Sequence, residues 1–116
     1  MNLTECYNAI GGNYEDVLRR LTSERLVRKF AVKFLDDKSY ELLESSLNEN
    51  NIEEAFRAAH TIKGVCSNLS FSKLLHSSED ITEALRAGDL EKAKQLFPAV
   101  TENYQLTVNS IKALDD

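Results

Sequence analysis

Apolar residues recur at spacings of three and four along nearly the whole chain, and very little interrupts them. The sequence has one proline and four glycines among 116 residues. Alternation of period two, the mark of a half-buried strand, never extends past a few residues. A chain patterned this way can bury its apolar side chains only as amphipathic helices packed on one another. With 42% apolar residues and this length, it can build one domain around a single core. No internal repeat, low-complexity tract or linker divides it.

The caps and stops divide the helical pattern into pieces. Thr4 caps a short helix over 4–10, which Gly11-Gly12 ends. Asn13 caps a second piece whose apolar side is Tyr14, Val17, Leu18 and Leu21. Thr22 or Ser23 starts a third, carrying Leu26, Val27, Phe30, Phe34 and Leu35, and Asp36-Asp37 closes it. Ser39 caps a segment to Asn48, with Leu42, Leu43 and Leu47 buried. Whether 22–36 and 39–49 are one bent helix or two is left open.

The later signals are stronger. Asn51-Ile52-Glu53-Glu54 has the form of a capping box, and the helix it starts runs to Leu69, roughly 28 Å at 1.5 Å per residue. Ser72 caps another, which carries Leu75, Ile81 and Leu85 and ends at Gly88. Asp89 caps the last, carrying Leu90, Ala93, Leu96, Phe97, Val100, Tyr104, Val108, Ile111 and Leu114. Pro98 lies inside it and removes one backbone donor, so a kink or a break is expected there. Short turns between the long helices make neighbours antiparallel. The expected fold is all-α: an antiparallel up-and-down four-helix bundle over 22–114, with a helical cap over 1–21, in a single domain 1–116.

Charge and composition exclude several functions. Lysine and arginine number 14 against 19 acidic residues, a net charge of −5, whereas a nucleic-acid surface must be basic. No apolar run approaches the roughly 20 residues that span a bilayer. The amino-terminal MNLTECYNAI has no signal-peptide pattern, so a cytoplasmic location is expected. Cys6 and Cys66 lack the CxxC or Cys/His spacing of a metal site, and both are expected to be reduced thiols, with Cys66 in the core. No metal and no cofactor are expected.

One stretch stands out, AAHTIKGVCSNLSF from Ala58 to Phe71. On its helix, Ile52, Ala55, Ala59, Ile62, Cys66 and Leu69 form a buried stripe at spacings of 3, 4, 3, 4 and 3. At about 100° per residue, His60 points roughly 140° from the middle of that stripe, toward water. Glu53, Phe56, Gly64 and Ser67 share its side, and Lys63 is on the flank. Glycine costs a helix interior about 1 kcal/mol relative to alanine. Two readings of Gly64 stand at this point: it lets two helices pack closely, or it clears space beside the imidazole for an incoming partner. A neutral imidazole is a nucleophile that forms covalent intermediates, and Lys63 offers a cation to any anion attached to it. No Ser/His/Asp or Cys/His arrangement accompanies His60, and no G-x-x-x-x-G-K-[ST] nucleotide loop occurs.

The run resembles the signature of histidine-containing phosphotransfer (HPt) domains: a small residue, His, a variable residue, an aliphatic, Lys, Gly, then small residues and a leucine. Here these are Ala59, His60, Thr61, Ile62, Lys63, Gly64, Cys66 and Leu69. The flanks FRAAH, FSKLLHSSEDITEALRAGD and KFAVKFLDD are also similar. The resemblance covers about Leu26 to Asp89, and the rest loosely. It implies a non-enzymatic phosphoryl carrier in which His60 accepts the phosphoryl group, Lys63 steadies it and Gly64 leaves room for the partner's active site. The implied partners are a response-regulator receiver domain or a hybrid sensor histidine kinase, with no nucleic acid and no membrane. The metal and the acidic pocket of such a reaction belong to the receiver. Phe56 and Ser67 are candidate docking residues. Ser70 departs from the family, which often has glycine there, and this leaves the local turn open. Three other readings accompany the resemblance: a helical module that docks signalling proteins without phosphotransfer, a module cut from a larger chemotaxis-type kinase, and an enzyme, which the absence of a second catalytic group near His60 disfavours most. The initiating methionine and compact length suggest a stand-alone protein. His76 is assigned no role. The cluster Arg19, Arg20, Arg25, Arg28, Lys29 and Lys33 is a solvated face or a landing surface for an acidic receiver.

Overall fold

The computed structural model describes residues 1–115. In chain order the helices are α1 (Leu3–Ala9), α2 (Tyr14–Leu21), α3 (Glu24–Lys33), a single 3-10 turn (Phe34–Asp36), α4 (Ser39–Asn48), α5 (Ile52–Leu69), α6 (Ser72–Arg86) and α7 (Leu90–Lys112). No strand occurs among the described residues. The segments 22–36 and 39–49 are therefore separate helices. Asp37 separates them: its backbone is extended, and its carboxylate accepts the Ser39 N–H at 2.7 Å.

The capping chemistry follows local sequence, with three corrections. Asn13, Asn51 and Asp89 each accept a backbone N–H three residues on, from Asp16, Glu54 and Lys92, at 3.0–3.1 Å. Ser23 rather than Thr22 caps α3, accepting the Leu26 N–H at 3.2 Å, while Thr22 takes the left-handed conformation that ends α2. The first correction is at α1, where Asn2 replaces Thr4 as cap. The Asn2 side chain accepts from Glu5 N, and the Glu5 carboxylate accepts from Asn2 N, so a complete capping box starts the helix earlier. The second is that Ser39 and Ser72 are the first helical residues of α4 and α6, not caps. The third is that the box at Asn51 is only half made. The Asn51 N–H is already taken by the Ser46 carbonyl at 2.8 Å, and Glu54 turns to Arg57 at 2.8 Å.

α5 packs between α4 and α6, α7 packs on α6 and touches α4, and α1–α3 pack among themselves and against α5 and α7. A single apolar cluster joins residues from every helix. Aromatic rings run through it in a chain: Tyr14, Tyr7, Phe71, Phe34, Tyr104, Tyr40 and Phe97, with successive centroids 4.1–5.9 Å apart. The chain has four tyrosines and five phenylalanines, so only Phe30 and Phe56 lie outside this line.

Burial on α3 and α4 differs from the expectation. Leu26, Phe30 and Leu42 are exposed, at 36–41%. Val27 on α3 and Phe34 in the 3-10 turn are buried as expected, and Ala31 joins them in place of Leu26 and Phe30, so the buried face of α3 is rotated by about one residue step. On α4 the Tyr40 ring stacks on Tyr104 at 4.1 Å and on Phe97 at 5.5 Å. Leu42, about 200° around the helix from Tyr40, is thereby turned outward. No break occurs at Pro98, since α7 runs through it. Pro98 and Lys94 are both exposed, so water can serve the Lys94 carbonyl that loses its helical donor. Cys6 and Cys66 are buried free thiols, and burial pushes both above the ordinary thiol range. No helix among the described residues is long and apolar enough to cross a membrane.

Candidate functional site

α5 is the rod that carries the site, and its sequence divides it into two sides. Ala55, Ala58, Ala59, Ile62, Cys66 and Leu69 are buried. The stripe read from spacing is present, broadened by Ala58, while Ile52 at the helix start is only half-buried. The small side chains at 55, 58 and 59 let the neighbouring helices approach closely. His60, Gly64 and Ser67 on the other side are exposed, and Phe56 and Lys63 are half-buried.

The far end of the rod is fixed by the amino-terminal helices. A helix ends with four carbonyls that lack helical donors, and here each has one. The Phe71 N–H reaches the Cys66 carbonyl at 3.0 Å. Arg20 of α2 donates to the carbonyls of Ser67 and Asn68 at 3.2 and 2.9 Å. The Tyr7 hydroxyl of α1 donates to the Leu69 carbonyl at 2.8 Å in a buried position. Gly12 permits this approach, because a side chain there would come within 2.9 Å of the Ser70 carbonyl and 2.8 Å of the Tyr7 ring.

Ser70 resolves its own departure from glycine. It sits in the left-handed conformation, φ 55°, which glycine adopts at less cost. Its hydroxyl donates to Asp16 at 2.7 Å and accepts from Arg20 at 3.0 Å, contacts that glycine cannot make. The Ser70 hydroxyl, together with the Arg20 guanidinium, holds the Asp16 carboxyl below the usual carboxylate range.

Around His60 the geometry is open. The Phe56 ring lies one turn before it, centroids 5.9 Å apart and planes within 18°. The Arg86 guanidinium of α6 lies over the Phe56 ring at 5.1 Å. Glu53, Phe56, Arg57 and His60 line a shallow concavity of about 400 Å³. A side-chain carbon placed at Gly64 would meet no atom within 4 Å beyond its own helical turn. Close packing of helices therefore does not require this glycine. Neither His60 nor Lys63 takes part in an ion pair among the described residues. No group of three or more His, Cys, Asp or Glu among them is placed to hold a metal ion. His76 sits elsewhere on α6, 3.4 Å from Glu79.

The structure thus brings His60, Phe56, Gly64 and Ser67 onto one face with Lys63 at its edge. Sequence reasoning missed Arg86. It lies 26 positions from His60 on another helix, and only the packing of α5 on α6 brings it to Phe56.

Comparison with known proteins identifies the family. The family model for the Hpt domain matches residues 36–111, well over half of the chain. The chemotaxis protein CheA of Halobacterium salinarum is similar to this chain, 38% identical over 91 residues. That match covers 73% of this chain and 14% of that protein, so the chain spans a small part of its relative's length. No solved structure matches it.

Proposed function

The chain belongs to the Hpt domain family, phosphotransfer modules of two-component signalling, and from that premise we propose that His60 is its phosphoryl-accepting residue. Hpt domains carry a phosphoryl group rather than catalyse its turnover. In the proposed step, one His60 ring nitrogen attacks the phosphorus of an aspartyl phosphate on a receiver domain. The N–P bond forms as the acyl O–P bond breaks, the aspartate leaves as carboxylate, and the ring proton stays on or departs from the other nitrogen. The reverse step returns the group to a receiver aspartate.

This chain's part is positional. α5 holds the ring out from the core, Phe56 stacks against one side of it, and Gly64 leaves the approach clear. Lys63 stabilises charge on the transferring oxygens by electrostatics. Phe56 and Ser67 take part in docking, with Arg86 bracing Phe56. The partner is a receiver domain, a hybrid sensor kinase, or both, in the cytoplasm. The supporting scaffold is an antiparallel up-and-down bundle of α4, α5, α6 and α7 in a single domain, with residues 1–21 as a cap over the α5–α6 end.

The observation that carries this reading is the pairing of an exposed imidazole with a mid-helix glycine that no neighbour in the chain requires. The test is incubation with a phosphorylated receiver, followed by assay for an acid-labile, base-stable label. Wild type should take the label. His60→Gln should take none while keeping its helicity, because the ring lies off the core. Lys63→Ala should take it more slowly. Label retained in His60→Gln would remove the assignment.

A further inference from the structure

A second face of the molecule lies apart from His60. Four large apolar residues are exposed among the described residues, and three of them, Leu26, Phe30 and Val32, are on α3. Phe30 is also one of the two rings outside the aromatic chain of the core; the other, Phe56, stands beside His60. Arg25, Lys29 and Lys33 are exposed on the same outward side of α3. None of these cations takes part in an ion pair among the described residues, although the chain's net charge is −5.

Beside this strip lies a groove of about 540 Å³ between α3 and the last turns of α5. Leu21, Phe30, Phe34, Val65 and Leu69 supply its apolar walls, Lys33 stands at one side, and Asp36 and Asp37 lie past the end of α3. It shares no residue with the concavity at His60. On α5, Val65 and Asn68 stand roughly 140° and 80° around the helix from His60.

We propose that this groove and the outer face of α3 form a docking site for an acidic amphipathic helix of a partner protein, separate from the His60 face. An apolar groove takes the apolar side of a helix through anchors at spacings of three and four. The unpaired cations select acidic flanks on that helix and speed its encounter. A second copy of this chain is a poor occupant, because symmetric pairing sets Arg25, Lys29 and Lys33 against themselves. A bilayer surface is a poor one too, because a plane does not enter a groove between two helices. The site does not depend on His60 accepting a phosphoryl group.

The probe is a dye-labelled helical peptide of about twelve residues, some three turns, with leucines at i, i+4 and i+7 and glutamates elsewhere. Its twin carries lysines in place of the glutamates. The acidic peptide should bind the intact protein, about tenfold or more tighter than its twin, and more weakly as salt rises. Phe30→Ser should cut its binding about tenfold, and so should Lys29→Glu with Lys33→Glu, charges exposed enough to change without unfolding the chain. Amide resonances of α3, Val65 and Asn68 should shift on titration, and His60→Gln should bind as wild type does. Equal binding of the two peptides, or shifts centred on Phe56 and His60, would overturn the proposal. So would self-association of the protein that Phe30→Ser abolishes, or binding to anionic phospholipid vesicles in place of the acidic peptide.

Discussion

Replacing Gly64 by alanine separates a glycine kept for folding from one kept for a partner. Alanine is favoured over glycine in a helix interior by about 0.8–1 kcal/mol. That gain is normally offset where the new methyl group strikes a neighbour, but here no atom beyond the local turn lies within 4 Å of it. The full propensity difference should therefore appear as stability. Unfolding entropy of about 2.1 cal/mol/K per residue, over 116 residues, amounts to about 0.24 kcal/mol/K. A gain near 1 kcal/mol thus raises the melting temperature by about 4 °C, readable by far-ultraviolet circular dichroism. If Gly64 clears the approach of an incoming active site, as proposed, the same methyl group should slow transfer from a phosphorylated receiver, and Gly64→Gln should slow it more. Stability and transfer are expected to move in opposite directions. A lower melting temperature in Gly64→Ala would show that the backbone there needs glycine after all. Unchanged transfer in both variants would refute the clearance role.

Three further perturbations test the scaffold. Tyr7→Phe leaves the buried Leu69 carbonyl without its 2.8 Å donor and should cost about 1–3 kcal/mol in urea unfolding, while labelling of the folded protein continues; a loss near zero would remove α1 as an anchor of α5. Asp16 has a folded-state pKa below its ordinary value of 3.8, so its contribution is present above that value and lost as pH falls through the lower folded-state value. The melting-temperature advantage of wild type over Asp16→Asn should therefore shrink as pH falls below 3.8 and vanish only below the lower folded-state value, and an advantage that grows in acid would contradict the Ser70–Arg20 contacts as its cause. Arg86→Ala removes a cation–π contact worth about 0.5–1 kcal/mol at an exposed site, and a double-mutant cycle with Phe56→Ala should recover a coupling of that size. Zero coupling would mean that Arg86 does not brace the ring beside His60.

What the sequence determined on its own is local in origin. The α5 stripe through Ala55, Ala59, Ile62, Cys66 and Leu69 follows from helical pitch alone, and so does the outward direction of His60. The caps at Asn13, Asn51 and Asp89 each bond to a backbone group only three residues on, so a short window of sequence contains the whole interaction. The mid-helix glycine is visible too, although only the surroundings show that close helix packing does not require it.

Tertiary structure decided everything that needs two distant elements. Pitch relates residues on one helix to each other, but it does not set how that helix is rotated against its neighbours. The stacking of Tyr40 on Tyr104 and Phe97 set the rotation of α4 and turned Leu42 outward, and the burial of Ala31 on α3 left Leu26 and Phe30 in solvent. Arg20 reaches carbonyls 47 and 48 positions away, and Arg86 meets Phe56 across two helices. Such pairs arise from the packing of whole faces, where many weak contacts fix one arrangement, and no short stretch of the chain encodes them.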